Sequence, residues 1–179
     1  MSLIKIIPAV RSDSEFSEAI LTDCNLLFDL NPDLLTLKSK VDAVHRAGKK
    51  LYIHFDLATG IGKDKTGMLY VKAVGVDGII STRVNIIKLA REIGLFTVQR
   101  FFIVDSHSID TTVEAVKSAK PDMIEIMPGI VAKVITDLKQ RINTPIIAGG
   151  LIETSEEVEN IIQSGATAVS SGSKVLWSL

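Results

Sequence analysis

Glycines and serines near the end of this chain fall in a pattern suited to holding an anion. Gly149-Gly150 follows the apolar run Pro145-Ile146-Ile147-Ala148, and Ser170-Ser171-Gly172-Ser173 follows Ala166-Thr167-Ala168-Val169. Glycine lets a backbone come close to an oxyanion, while free amides and serine hydroxyls donate hydrogen bonds to its oxygens. Met127-Pro128-Gly129 closes an earlier run and adds a third wall. Taken singly, Gly-Gly and Ser-Gly-Ser are ordinary turns. Two of them closing consecutive runs predict a phosphate cradle built from Gly129, Gly149, Gly150, Ser171, Gly172 and Ser173.

The ends of the other apolar runs carry polar side chains that would surround the body of such a ligand: Arg11, Asp29, His54, Asp56, Arg83, Arg100 and Glu125. His54 and Asp56 lie two apart in an extended stretch with Tyr52, so alternation puts all three on one face. A carboxylate beside an imidazole can orient a hydroxyl or move a proton. An interior polar layer that satisfies itself is the competing reading, and no residue is assigned a catalytic role. Glu125, between Ile124 and Ile126, faces away from both and comes within reach of Arg100. His54, Asp56, His107 and Glu125 are acceptable metal ligands, but no His-x-x-x-His spacing gathers them, so no metal and no cofactor are expected. There is no Gly-x-Ser-x-Gly elbow, and the lone Cys24 precedes a run rather than closing one.

The elements that must position these groups alternate between β-rich runs and amphipathic stretches of helical period. Eight runs are visible: Ile4 to Val10, Asn25 to Leu30, Leu51 to Leu57, Gly78 to Thr82, Phe96 to Val104, Met123 to Met127, Ile146 to Gly149, and Ala168 to Ser171. Between them lie helical candidates such as Leu34, Leu37, Val41 and Val44, or Val113 and Val116. The last strong helix spans Ser155 to Gln163, with Thr154 or Ser155 as N-cap and Gly165 after its end. The runs start about every 23 residues. Eight such steps predict an α/β fold, a minimal TIM (βα)8-type barrel in one domain over residues 1–179. Such barrels usually need ~200 to 250 residues, so the final helix is expected to be truncated or missing, with Val175, Leu176 and Trp177 covering the gap. An open doubly wound sheet would instead advertise a glycine-rich turn after an early strand.

Composition sets the frame. The chain is 46% hydrophobic and 23% charged, which suffices for a core and argues against extended disorder. No apolar run reaches the ~18 residues of a membrane span, and Leu3 to Val10 is too short and too interrupted for a signal peptide. One cysteine permits no internal disulfide, so a cytoplasmic protein without membrane contact is expected. Lys and Arg number 20 against 21 Asp and Glu, a net charge of -1, so the surface as a whole does not attract polyanions. Lys38, Lys40, Arg46, Lys49 and Lys50, and then Lys133, Lys139 and Arg141, read as exterior charges scattered around two helices. Composition by itself does not suggest RNA.

The order of the motifs carries more. Pro8-Ala9-Val10-Arg11, His54-Phe55-Asp56-Leu57 with Gly60 and Asp64, Gly78-Ile79-Ile80-Ser81-Thr82-Arg83, and Gln99-Arg100-Phe101-Phe102 with Asp105-Ser106 come first. Lys120-Pro121-Asp122 with Glu125 and Pro128-Gly129, Pro145 through Ile152, and Lys174-Val175-Leu176-Trp177 follow. Together they resemble the glycerol-3-phosphate-responsive antiterminator family over nearly the whole chain, departing from its usual pattern at Gly172-Ser173. The resemblance implies a non-catalytic barrel that binds glycerol 3-phosphate as effector and then leader mRNA of glycerol-uptake genes. It transfers no RNA-contacting residue. A sensor needs only differential affinity between two states. On this reading the effector orders the loops Leu57 to Asp64 and Ser106 to Asp110, which complete an RNA surface. The rival expectation is a small phosphosugar isomerase or synthase using His54 and Asp56 as an acid–base pair, since the same cradle serves that chemistry. A homo-oligomer is compatible with either.

Overall fold

The computed structural model describes residues 6–179. Eight parallel strands close into a barrel in sequence order, β1 pairing with both β2 and β8. The strands are β1 (Ile6–Val10), β2 (Leu26–Asp29), β3 (Lys50–His54), β4 (Gly78–Ser81), β5 (Phe96–Phe102), β6 (Met123–Met127), β7 (Ile146–Gly149) and β8 (Ala168–Ser171). The helices that alternate with them are α1 (Asp13–Ala19), α2 (Leu34–Arg46), α3 (Lys65–Val74), α4 (Val84–Ile93), α5 (Ser106–Ala119), α6 (Ala132–Arg141) and α7 (Ser155–Gln163). This is the TIM-type barrel with a truncated last helix. Ile4 and Lys5, expected in the first strand, lie outside the described residues.

Strand alternation divides the apolar residues into two cores. Ile7, Phe28, Tyr52, Ile80, Val98, Ile147 and Ala168 fill the barrel, where the Phe28, Tyr52 and Phe96 rings stack at centroid distances of 5.9 and 5.2 Å. Ile53, Ile79, Ile124, Ile126, Ala148 and Val169 point the other way and pack beneath the helices. Ile124 and Ile126 therefore leave Glu125 facing inward, as their spacing predicts. Burial pushes the Tyr52 phenol up to about 12, with Asp77 and Asp122 adding to it, so that ring stays neutral.

Local chemistry sets the boundaries. Thr154 caps α7, its hydroxyl accepting from the Glu157 amide while the Glu157 carboxylate accepts from the Thr154 amide. Asp33, Asp64 and Asp105 cap α2, α3 and α5 in the same helix-starting position. Two expectations need correction here. The third strand stops at His54, and Phe55–Leu57 is a 3-10 turn. Ser106 to Asp110 is the first turn of α5 rather than a loop, because the Asp105 carboxylate accepts from the Ser108 amide and hydroxyl at 2.8 Å each.

A second 3-10 turn, Lys174–Ser178, stands where the eighth helix would be. Leu176 and Trp177 are buried, and the indole N–H donates to the Ser171 carbonyl at 2.8 Å. Val175 was expected to join them but is 77% exposed, since so short a turn can present only one face to the barrel. Cys24 lies at the opposite, N-terminal end of the barrel, its thiol 3.6 Å from the Trp177 carbonyl. No helix among the described residues is long and apolar enough to cross a membrane.

Candidate functional site

The C-terminal ends of the strands open into a cavity of about 950 Å³. Seven of the expected site residues line it: Arg11, Arg100, Glu125, Gly150, Ser171, Gly172 and Ser173. Its floor is charged and buried. Arg100 Nε donates to Glu125 Oε2 at 2.6 Å, and the Ser170 hydroxyl donates to Glu125 Oε1 at 2.5 Å, with all three side chains buried. β5 and β6 place Arg100 directly beside Glu125 in register, so the pair is fixed by strand pairing itself. Both oxygens of this buried carboxylate are thus matched by donors.

The rim beside this floor is rich in donors. The amides of Gly150, Leu151, Ile152 and Gly172 donate to no acceptor among the described residues. Gly150 has φ +80°, a left-handed backbone that glycine adopts without strain. The Arg11 guanidinium stands over the β8 loop, with Nη1 3.6 Å from the point where a side chain on Gly172 would begin. The Ser171 hydroxyl, by contrast, is committed: it donates to the Ile152 carbonyl and accepts from the Ser173 amide, each at 3.0 Å. Ser171 thus ties the β7 and β8 loops together.

Gly129 and Gly149 sit behind the cradle rather than on its surface. The Gly129 amide donates to the Gly149 carbonyl at 2.5 Å, and a side chain on Gly129 would start 2.5 Å from the Gly149 nitrogen. Gly149 faces inward, where a Cβ would fall 2.5 Å from Ser170 Oγ and 2.7 Å from Glu125 Oε1. Both glycines therefore make room for the floor and the β6 turn, a packing role that turn chemistry in the sequence does not distinguish from anion binding.

Asp29, His54, Asp56 and Arg83 are not part of the cavity lining. Asp29 is buried and structural, with Lys40 Nζ 3.0 Å from Oδ2 and the Asn31 amide donating to Oδ1 at 3.0 Å. Lys40, expected outside, is buried between Asp29, Asp13 and the Phe16 ring. Its position on the inner stripe of α2 beside Val41 and Val44 was the available signal.

His54 and Asp56 do not pair. Asp56 turns across to the end of β4, where it accepts from the Ser81 hydroxyl at 2.7 Å, the Thr82 amide at 2.8 Å and Arg83 Nε at 3.2 Å. Burial raises its pKa, but the Thr82 amide and the Ser81 and Thr82 hydroxyls outweigh that and hold the carboxyl below its ordinary range. His54 points into the barrel with Nδ1 unpartnered. Burial, reinforced by the Arg100 charge, lowers its pKa and keeps the ring neutral. The strand parity that put the two on one face fails because the strand ends between them. Leu57 to Asp64 is itself tied down, Thr59 bridging to Asp33 and Lys63 Nζ donating to the Ala58 and Ile61 carbonyls. Among the described residues, no three His, Cys, Asp or Glu side chains gather as a metal site.

Sequence reasoning missed Glu15, Phe102 and Leu151, and left Ser170 of the serine run out of the cradle, though all four are in the lining. Glu15 accepts from the Arg11 amide at 2.6 Å and so fixes the loop that carries the rim cation. Ser170 could have been found by parity from Ala168, which points into the barrel.

The chain is a TIM-type (βα)8 barrel whose glycine-rich β7 and β8 loops and buried Arg100–Glu125 pair line one cavity at the C-terminal ends of the strands. The model of the glycerol-3-phosphate responsive antiterminator family matches residues 6–177, and the chain belongs to that family. A glycerol uptake operon antiterminator regulatory protein from Listeria monocytogenes is 35% identical, with a TM-score of 0.92 over 99% of this chain and 96% of that one. An antiterminator-related protein from Thermotoga maritima is 30% identical, with a TM-score of 0.87 over 97% and 98% of the two chains. The uncharacterized Escherichia coli K12 protein YgcP is 35% identical over 97% of this chain and 92% of its own length. Solved barrels at 15% identity or less, enzymes among them, share the fold alone. The family is one of regulators, and its effector is glycerol 3-phosphate.

Proposed function

We propose that this protein is an effector-gated regulator of transcription antitermination, which takes glycerol 3-phosphate at the mouth of its barrel and, once loaded, binds the leader mRNA of glycerol-uptake genes. One observation carries the reading: unpaired amides of the β7 and β8 loops and the Arg11 guanidinium converge on the rim of one cavity whose floor is Arg100, Glu125 and Ser170. The phosphate goes to the rim, where Gly150, Gly172, Ser173 and Arg11 supply donors and positive charge. The glycerol hydroxyls reach down toward Glu125 and Ser170. Such a ligand needs concentrated donors at one end and mixed donors and acceptors at the other, and the cavity has that polarity. His54 and Asp56 lack the geometry of an acid–base pair, which weighs against the isomerase or synthase alternative.

Calorimetric titration with glycerol 3-phosphate tests the first half. Arg11→Ala removes a charge-assisted phosphate contact of about 1.5 to 3 kcal/mol, so affinity should fall roughly tenfold to a hundredfold. An unchanged dissociation constant would move the phosphate elsewhere. For the second half, leader-transcript binding at fixed salt should be weak without effector, as the net charge of -1 requires, and strengthen when it is added. Equal RNA affinity in both conditions refutes the gating.

A further inference from the structure

The cavity is larger than its proposed effector. At about 950 Å³ it lies near the upper end of sites that enclose drug-sized ligands, and a three-carbon phosphate ester fills only a small part of it. The cradle and charged floor occupy one side. Elsewhere the lining includes an apolar set, Leu30, Phe102, Met127, Pro128 and Leu151, alongside the carboxylates of Glu15 and Glu153.

Two of these residues are placed at a cost that folding does not explain. The chain has six Phe, two Tyr and one Trp, and among these aromatic residues Phe102 alone is exposed, at 59%, facing the cavity from the end of β5. Leu151 is 67% exposed and has φ +61°, a left-handed conformation that disfavours a branched side chain. Both hold apolar surface in water beside the opening. At the end of the adjacent strand β4, Arg83 is half-exposed; its Nε is engaged by Asp56, and its Nη1 and Nη2 donate to no acceptor among the described residues. Lys63 stands close enough to Arg83 for that charge to help lower its pKa, after burial.

We propose that this apolar wall receives one unstacked nucleobase of the leader RNA, laid on Phe102 and Leu151 above the bound effector, with a neighbouring phosphate on Arg83. The inference rests on the antitermination reading and adds the surface that reading lacks. Single-stranded RNA is recognised by splaying a base onto an aromatic face, with a cation beside it on the backbone. Sharing one cavity also explains gating. The effector fills the space beneath the base and the base covers the effector, so each strengthens the other's binding by the same factor.

Full-length protein is titrated into a labelled leader transcript of a glycerol-uptake operon, at fixed salt and at glycerol 3-phosphate concentrations shown to saturate each variant. Phe102→Ala should weaken RNA binding about 5- to 100-fold, the range for loss of one base–aromatic stack, and Phe102→Trp should restore it. With 2-aminopurine placed in turn at each unpaired position, one position should change fluorescence on binding to wild type and not to Phe102→Ala. Wild-type RNA affinity in a folded Phe102→Ala variant overturns the inference and leaves the antitermination reading intact. Effector binding without any RNA binding by the wild type overturns both. A change confined to sedimentation mass, with RNA affinity unaltered, overturns it by making the wall a contact between copies.

Discussion

Gly149→Ala is the sharpest test of how the cavity floor is built. The added methyl would lie 2.5 Å from Ser170 Oγ and 2.7 Å from Glu125 Oε1, inside contact distance for both. Neither atom has slack, because they are joined to each other at 2.5 Å while Glu125 Oε2 is held by Arg100 at 2.6 Å. If Ser170 rotates away, Glu125 loses a hydrogen bond to a charged group, about 1.5 to 3 kcal/mol; if it stays, the site is overpacked by about 1 to 3 kcal/mol. An expected cost of about 1 to 3 kcal/mol lowers the melting temperature of a chain this size by roughly 3 to 12 °C. Calorimetric melting measures it. Gly149→Ala combined with Ser170→Ala should cost less than the sum of the two single changes, because the second removes the oxygen that the first displaces. A melting temperature within about 2 °C of wild type, or strict additivity, would refute the account of Gly149 as space for the ion pair.

Three further outcomes follow from the same geometry. His54 has a pKa depressed from its ordinary 6.5 by burial and by Arg100, so the unfolded chain takes up a proton more readily than the folded one. The stability tied to neutral His54 is present above 6.5 and is lost as pH falls below it; His54→Asn should flatten that part of a stability–pH curve. Lys40→Met leaves the Asp29 carboxylate buried without its cation, a loss of about 3 to 5 kcal/mol, and Lys40→Met with Asp29→Asn should recover much of it in thermal melts. Arg11→Ala, which touches no buried group, should leave the melting temperature within about 2 °C while weakening glycerol 3-phosphate, so a large stability loss would show its role to be structural.

Eight runs and their spacing were enough to specify a closed barrel, and glycine and serine after the last two marked the end at which the cavity opens. That much is local: strand periodicity, cap residues and turn chemistry act within a few positions of the chain. Val175 shows the limit even there, since a five-residue turn shows only one face to the barrel. Glu125 and Arg100 were legible because parity alone puts both inside, and strand register then makes them neighbours.

Which polar groups line the cavity and which are spent on the fold was decided by contacts between residues far apart in sequence. Asp56 lies two positions from His54 yet belongs to the end of β4, because hydrogen bonds from Ser81 and Thr82 outweigh the continuation of a strand. Asp29 was drawn as a ligand residue but is neutralised by Lys40, eleven positions away on α2. Gly129 and Gly149 look like anion-binding glycines in the sequence and prove to be space for backbone and for an ion pair. The sequence by itself determined the barrel and which strand ends carry the glycine- and serine-rich loops. Only the tertiary structure decided the floor, the rim and the apolar wall, because charge partners and close packing depend on distance in space, which chain position does not encode.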